Sequence, residues 1–449
     1  MNYRIEKDSC GELEVNEKAY YGISSLRANQ NFNITNLKMH PSFIDSIVLI
    51  KKAGAFINGE NKLLSKEKAN AIVNACDEIL SGKYRDEFIC DAIQGGAGTS
   101  ANMNVNEVIA NIAIKSLGGK LGEYSIISPN DHVNMEQSTN DVIPSAGKLT
   151  VITLSKELIK ELNKLLIALK NKAKEFDGIL KMGRTQLQDA VPMRVGQAFN
   201  AYATAIKRDI KRIESTLDEM HYLNLGATAI GTAINVKKPY YENIFPKLSE
   251  LFGEKLERTP DLFDGTQNID CFVDVSGALK SCAVNLSKMC NDLRLLASGP
   301  KTGFAELKLP AKQNGSSIMP GKINPVIPEV VNQVAFLVIG HDTTITLAAE
   351  AGQLELNAFE PVVFYQLFES ITTLTGAVRT LTENCIVGIE VNKERCADLV
   401  NQSVGIVTAL NPYIGYSKAA KIAKESLKTG ESIKSIVLRN KLLDEKTLD

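Results

Sequence analysis

Histidine is scarce in this chain, with 4 in 449 residues, standing far apart at positions 40, 132, 221 and 341. That leaves a Ser-His-Asp hydrolase little to be built from, and no serine sits in a GxSxG elbow. Closely spaced cysteines are missing as well. The eight cysteines (10, 76, 90, 271, 282, 290, 385 and 396) include no CxxC, which argues against a zinc site or a disulfide framework and for reduced packing thiols. Charge of one sign is also lacking: 51 Lys and Arg face 52 Asp and Glu without a run of either. No nucleic-acid footprint and no acidic tail follow from that balance, so a small-molecule ligand is expected. No segment reaches the roughly 18 uncharged apolar residues of a membrane span, and the opening MNYRIEKDSC has no apolar stretch of signal-peptide length. The expectation is a cytoplasmic protein with no membrane partner. Short-period repeats and low-complexity tracts are absent too, and the length suits roughly two or three domains.

What the chain does contain is a series of long helical stripes. Val151, Leu154, Leu158, Leu162, Leu165 and Leu169 recur at spacings of three and four, with Ile152, Ile159 and Leu166 as a second stripe beside them. Phe199 to Met220 repeats the pattern ahead of Gly226, and Val275 to Leu296 repeats it ahead of Gly299, both glycines being candidate stops. A fourth helix is expected after Pro328, through Val331, Val334, Leu337 and Val338, and a fifth from Phe364 to Cys385. Five such helices predict a mainly α protein built as a long-helix bundle. Doubled stripes need cover on two sides, which favours association into an oligomer.

Four polar segments interrupt the stripes: Gln94 to Asn106, Pro129 to Pro144, Lys181 to Pro192 and Gly299 to Glu329. In the last, Gly315-Ser316-Ser317-Ile318-Met319-Pro320-Gly321-Lys322-Ile323-Asn324-Pro325 is either a connector or a binding loop. Its two hydroxyls, one cation, one amide and row of backbone N–H groups could hold a carboxylate. A P-loop does not fit, because five residues separate Gly315 from Gly321 and Ile323 follows Lys322. Gly95-Gly96-Ala97-Gly98 is likewise not GxGxxG after a strand, which argues against a dinucleotide fold. Thr99, Ser138, Thr139, Asn140, Thr185 and Gln186 in the other segments read equally as helix caps or turns when each is taken alone.

Taken together and in order, the four segments resemble the fumarase/aspartase superfamily over essentially the whole chain. The resemblance implies a homotetramer around a twenty-helix core, with each active site drawn from three subunits. It also implies an N-terminal domain over 1–139, a central helical-bundle domain over 140–394 and a small C-terminal domain over 395–449. Carried over by position, Ser316 matches the general base. Thr99, Ser138 and Thr139, with Ser317 as a further candidate, match residues around the carboxylate beside the deprotonated carbon. Thr185, Lys322 and Asn324 match groups at the other carboxylate, Asn140 and Gln186 lie toward the amino group, and Glu329 matches a supporting carboxylate.

Several positions lean toward ammonia rather than water chemistry within that superfamily. Gln186 stands where fumarases carry a histidine, and Ser128 replaces a histidine of their secondary anion site. Gln94 to Thr99, Gly226 to Gly231, Ala351-Gly352-Gln353 and Tyr20-Tyr21-Gly22 look aspartase-like. The implied reaction is reversible deamination of L-aspartate to fumarate and ammonia, with fumarate hydration or a lyase for a substituted aspartate as the alternative. A silent scaffold like the related lens crystallins is the rival from another class, and it would need none of the polar residues kept here. No cofactor is implied, no metal ligand set is visible, and activation by a divalent ion such as magnesium cannot be located.

Overall fold

Five long helices carry the molecule, and each grows from one of the apolar stripes. In the computed structural model, which describes residues 2–315, 318, 319 and 321–448, they span Thr139–Glu175, Val195–Thr216, Asp270–Leu296, Val326–Glu350 and Glu360–Asn384. In the first, Val151, Leu158, Leu162, Leu165 and Leu169 are fully buried, and Ile152 and Leu166 bury the second stripe. Each such side chain stabilises the fold by about 1.5–3 kcal/mol, so packing rather than intrinsic propensity holds these helices.

The chain divides into two compact units. The first comprises Met1–Ile159, Lys211–Ser281 and Leu337–Thr373, and the second Lys160–Ile210, Cys282–Phe336 and Leu374–Asp449. Within the first unit, strands Tyr3–Asp8 and Gly11–Asn16 pair antiparallel. Helix Pro41–Glu60 packs on Lys66–Leu80, which packs in turn on Thr99–Ser116. Within the second unit, strands Leu180–Thr185 and Gln188–Arg194 form an antiparallel hairpin, and the last fifty residues gather Val407, Leu410, Ile422, Ile433, Ile436 and Val437 into a small apolar cluster of their own.

Four details differ from the sequence reading. Gly226 does not stop a helix: Val195–Thr216 ends ten residues earlier, and Leu217 and Met220 continue the stripe outside it, around the short turn Glu219–His221. Gly226 instead takes φ 88 so that its N–H can reach a buried carboxylate described below. Gly299 likewise lies past the last turn, which Ala297 and Ser298 close with N–H bonds to Leu293 and Leu295. The Lys181–Pro192 segment is a hairpin rather than a loop. On the Val326–Glu350 helix, Val331 and Val338 are buried as expected, but Leu337 is exposed on a second apolar face with Phe336 and Leu347. That helix is long and apolar enough to cross a membrane by length and composition, a test that the core helix of a bundle also passes.

Candidate active site

Four of the expected residues lie at two helix starts in the first unit. Gly98, at φ 81, caps the Thr99–Ser116 helix where a Cβ would meet Ile143 Cγ2 at 2.7 Å, so only glycine fits both the turn and the contact. Thr99 is exposed beyond it, its hydroxyl donating to the Gly96 carbonyl at 2.8 Å. Behind the turn, Gln94 accepts from Ala101 N–H at 2.7 Å and donates to the Asp91 carbonyl at 2.8 Å. Thr99 also lines a shallow pocket of about 240 Å³ with Asp8, Ser24, Arg27 and Phe32.

Ser138, Thr139 and Asn140 open the Thr139–Glu175 helix through a capping box. Ser138 Oγ accepts from Asn140 N–H at 3.2 Å while Asp141 reaches back to Ser138 N–H at 3.0 Å. Asp141 is fully buried, and its other oxygen accepts from Gly226 and Thr228 N–H, both at 3.1 Å. Asn140 ties the same two segments by donating to the Ala229 carbonyl at 2.8 Å and accepting on its own carbonyl from Asn224 at 3.0 Å. The segment is a helix cap, and capping fixes the backbone that presents its hydroxyls.

A buried cation braces the segment from the other side. Lys51, fully buried on Pro41–Glu60, donates to Asn134 Oδ1 at 2.7 Å and Gln137 Oε1 at 2.9 Å. Asn102 joins Asn134 to Thr139, donating to Asn134 Oδ1 at 3.1 Å and Thr139 Oγ1 at 3.2 Å. Burial pulls Lys51 down to about 7, partly opposed by the Asp141 charge. Burial likewise pushes Asp141 up to about 6 against its three N–H donors and Lys51.

In the second unit Thr185 and Gln186 stand exposed at the hairpin tip. Gln186 and Leu187 take φ 54 and 62, the left-handed pair of a type I′ turn that matches the twist of the strands. The near strand of the hairpin is fixed by charge: buried Glu306 pairs with Arg184 at 2.7 Å and Lys181 at 3.2 Å, and the Arg184 guanidinium lies 4.4 Å from the Phe304 ring centre. Lys322 is exposed, and Asn324 and Glu329 are half-buried at the start of Val326–Glu350. A Cβ on Gly315 would come 1.6 Å from the Lys322 carbonyl oxygen, so only glycine fits where these two residues meet. Glu329 has Arg294 as its charged neighbour, at 4.0 Å. The expected base Ser316 and its neighbour Ser317 lie outside the described residues.

The family described as lyase matches residues 11–340, and the family described as fumarase C C-terminus matches residues 406–449. The chain belongs to the fumarase/aspartase superfamily of lyases. An aspartate ammonia-lyase from Bacillus sp. is 51% identical over 446 residues, 99% of this chain and 95% of that protein. The crystal structure of fumarate lyase:delta crystallin from Brucella melitensis bound to cobalt superposes with a TM-score of 0.97 at 46% identity, covering 100% of this chain and 97% of that one. A class II fumarase from Schistosoma mansoni gives 0.94 at 33% identity, again over 100% and 97%.

Four residues that contact the expected positions or their flanks were missed by sequence reasoning: Lys51 and Asp141 in the first unit, Glu306 and Arg294 in the second. The Ser138-x-x-Asp141 capping box was legible in the sequence as a helix start. Lys51 left only a weaker trace, a charge interrupting the apolar run of Pro41–Glu60. Glu306 and Arg294 left none, because their partners are distant in sequence. Among the described residues no group of three or more His, Cys, Asp or Glu could hold a metal ion.

Proposed function

We propose that this chain is an aspartate ammonia-lyase, interconverting L-aspartate with fumarate and ammonia. The observation that carries this is the 51% identity to the Bacillus aspartate ammonia-lyase over nearly the full length of both chains, against 33% to the class II fumarase. Ser316 removes the proton from the carbon beside one carboxylate, whose oxygens take up the electron pair as an enediolate-like intermediate. Thr99, Ser138, Thr139 and Ser317 donate to that carboxylate, and donors fixed in advance lower the barrier to the charge that develops there. Thr185, Lys322 and Asn324 hold the other carboxylate, Asn140 and Gln186 face the amine, and Glu329 supports the loop. Collapse of the intermediate forms the double bond, breaks the C–N bond and releases ammonia.

A serine needs positive potential to act as an alkoxide at neutral pH, and Lys322 with the backbone N–H groups of its loop supplies it in this reading. No step is assigned to a metal or cofactor. We further propose a homotetramer whose sites are shared by three subunits; the exposed apolar face of Phe336, Leu337 and Leu347 supports burial against other copies. The separate apolar cluster near the C-terminus supports 395–449 as a small domain.

The deciding experiment follows fumarate absorbance on L-aspartate, D-aspartate, L-malate, argininosuccinate and adenylosuccinate in parallel. Fumarate should form from L-aspartate alone, with ammonia in equal amount; efficient dehydration of malate would return fumarase to first place. Sharing of sites is tested by refolding Ser316→Ala and Thr185→Val chains together. Recovered activity is expected, and proven mixed tetramers without it would mean that each site is built within one chain.

A further inference from the structure

The hairpin that presents Thr185 and Gln186 is fixed along its near strand by Glu306, and its far strand has a second attachment. Asp189, one residue past the turn pair's flank at Gln188, accepts a hydrogen bond from Ser403 Oγ at 2.6 Å. Ser403 is buried although Asp189 itself is exposed. The same hydroxyl accepts from Gly405 N–H at 3.1 Å, so it is held in place by the turn that opens Val404–Leu410. At the next position along the strand, a Cβ on Gly405 would come 2.4 Å from the Ala190 carbonyl oxygen. Backbone therefore lies directly against backbone there, and Val404–Leu410 packs along the strand Gln188–Arg194.

A two-residue turn in the left-handed region has no core of its own, and an isolated hairpin is marginal in water. Its tip keeps one position only if both strands are anchored. The near strand is anchored by Arg184 and Lys181 on Glu306. We infer that Asp189 and Ser403 are positioning residues: through their hydrogen bond and the Gly405–Ala190 contact, the C-terminal region holds the Thr185–Gln186 turn in the geometry that receives the substrate. This rests on the functional reading above, and it deepens that reading by assigning the C-terminal region a part in substrate binding. The bond is charge-assisted and short, so its loss should be felt at the turn.

The test compares Asp189→Ala with Asp189→Asn, and Ser403→Ala with Ser403→Thr, in the full-length assembled protein. Asn keeps an acceptor oxygen and Thr keeps the hydroxyl, so both conservative variants should remain within about twofold of the unaltered enzyme. The two alanine variants should raise the KM for L-aspartate by about tenfold with a smaller change in kcat, the pattern of lost ground-state binding. Hydrogen exchange at the amides of Thr185 to Ala190 should speed up by a similar factor in the alanine variants. Asp189→Ala is the cleaner of the two, since Ser403→Ala also removes the cap on Gly405. Unchanged KM and exchange in Asp189→Ala would overturn the inference, as would equal damage from Asn and Ala. If the unaltered protein does not act on L-aspartate at all, the functional reading fails, while the exchange rates still decide whether Ser403 holds the hairpin.

Discussion

Thr99, Ser138, Thr139 and Asn140 are set against buried polar machinery, whereas Thr185, Gln186 and Lys322 stand on an exposed turn and an exposed loop end. The first unit holds its hydroxyls with two fully buried charges, Lys51 and Asp141, whose hydrogen bonds run to the backbone and amides of the presenting segment. The second unit leaves its turn in solvent and holds it through neighbours, by Glu306 on the near strand and by Ser403 on the far one, while Lys322 lies against Gly315. The difference matches the chemistry proposed for each set. Donors that meet a developing charge gain most from being immobile, because any reorganisation during the reaction adds to the barrier. Groups that admit substrate stay open to solvent, and anchoring both flanking strands keeps such a turn in position without burying it.

The contrast is broken most severely by Asp141→Ala. That change strands three buried N–H groups and leaves Lys51 without its counter-charge, so it should lower unfolding stability by about 3–5 kcal/mol and abolish turnover together. Chemical denaturation of the variant checks the first half and the fumarate assay the second. A stable but inactive variant would mean that Asp141 acts on substrate instead of on the scaffold.

Ser316→Ala should separate the two effects from the other direction. Turnover should fall by about 10²-fold or more, the usual contribution of a positioned proton transfer, with no change of elution on gel filtration. Activity above about a tenth of the original would remove Ser316 as the base.

Titration sharpens the comparison further. Burial lowers Lys51 from the ordinary lysine range to about 7, whereas the unfolded chain keeps that proton until roughly pH 10.4. Between those values the unfolded state binds more protons, so the contribution of Lys51 to stability rises with pH, by at most about 1.4 kcal/mol per unit. Below pH 7 both states are protonated and the contribution is flat. The stability of the unaltered protein relative to Lys51→Met should therefore climb from pH 7 to pH 9. A constant difference over that range would show that Lys51 keeps its proton inside the core.

Gln186→His should have the smallest effect. The position is exposed, and its φ of 54 is one that histidine tolerates better than most side chains. Aspartate deamination should persist, with a new titration in the rate profile between about pH 6 and 7 from a solvated imidazole. Malate dehydration should remain undetectable, because a single imidazole does not reshape loops built for an amine. Appearance of efficient fumarase activity would assign the choice between ammonia and water to this one residue.

How much of the site was legible depends on whether its parts are local. The Ser138 to Asp141 cap could be read because both partners lie within four residues. The turn at Gln186 was harder, since the segment looked like a polar loop and only pairing with Gln188–Arg194 makes it a strand end. Lys51, with only a faint trace, and Glu306 and Arg294, with none, could not be assigned: what ties each of them to an expected position is a partner tens of residues away or more.

By itself the sequence determined the helices, because an apolar residue every third or fourth position leaves one economical way to bury the stripe, and the same order of polar segments determined the superfamily. Tertiary structure alone decided which of those polar residues are set against buried partners and which stand exposed at a turn. Gly226 shows why. In the sequence it is a plausible helix stop, yet its left-handed backbone is spent on delivering an N–H to Asp141, 85 residues earlier, and no local pattern encodes a bond between two segments that meet only after the chain has folded.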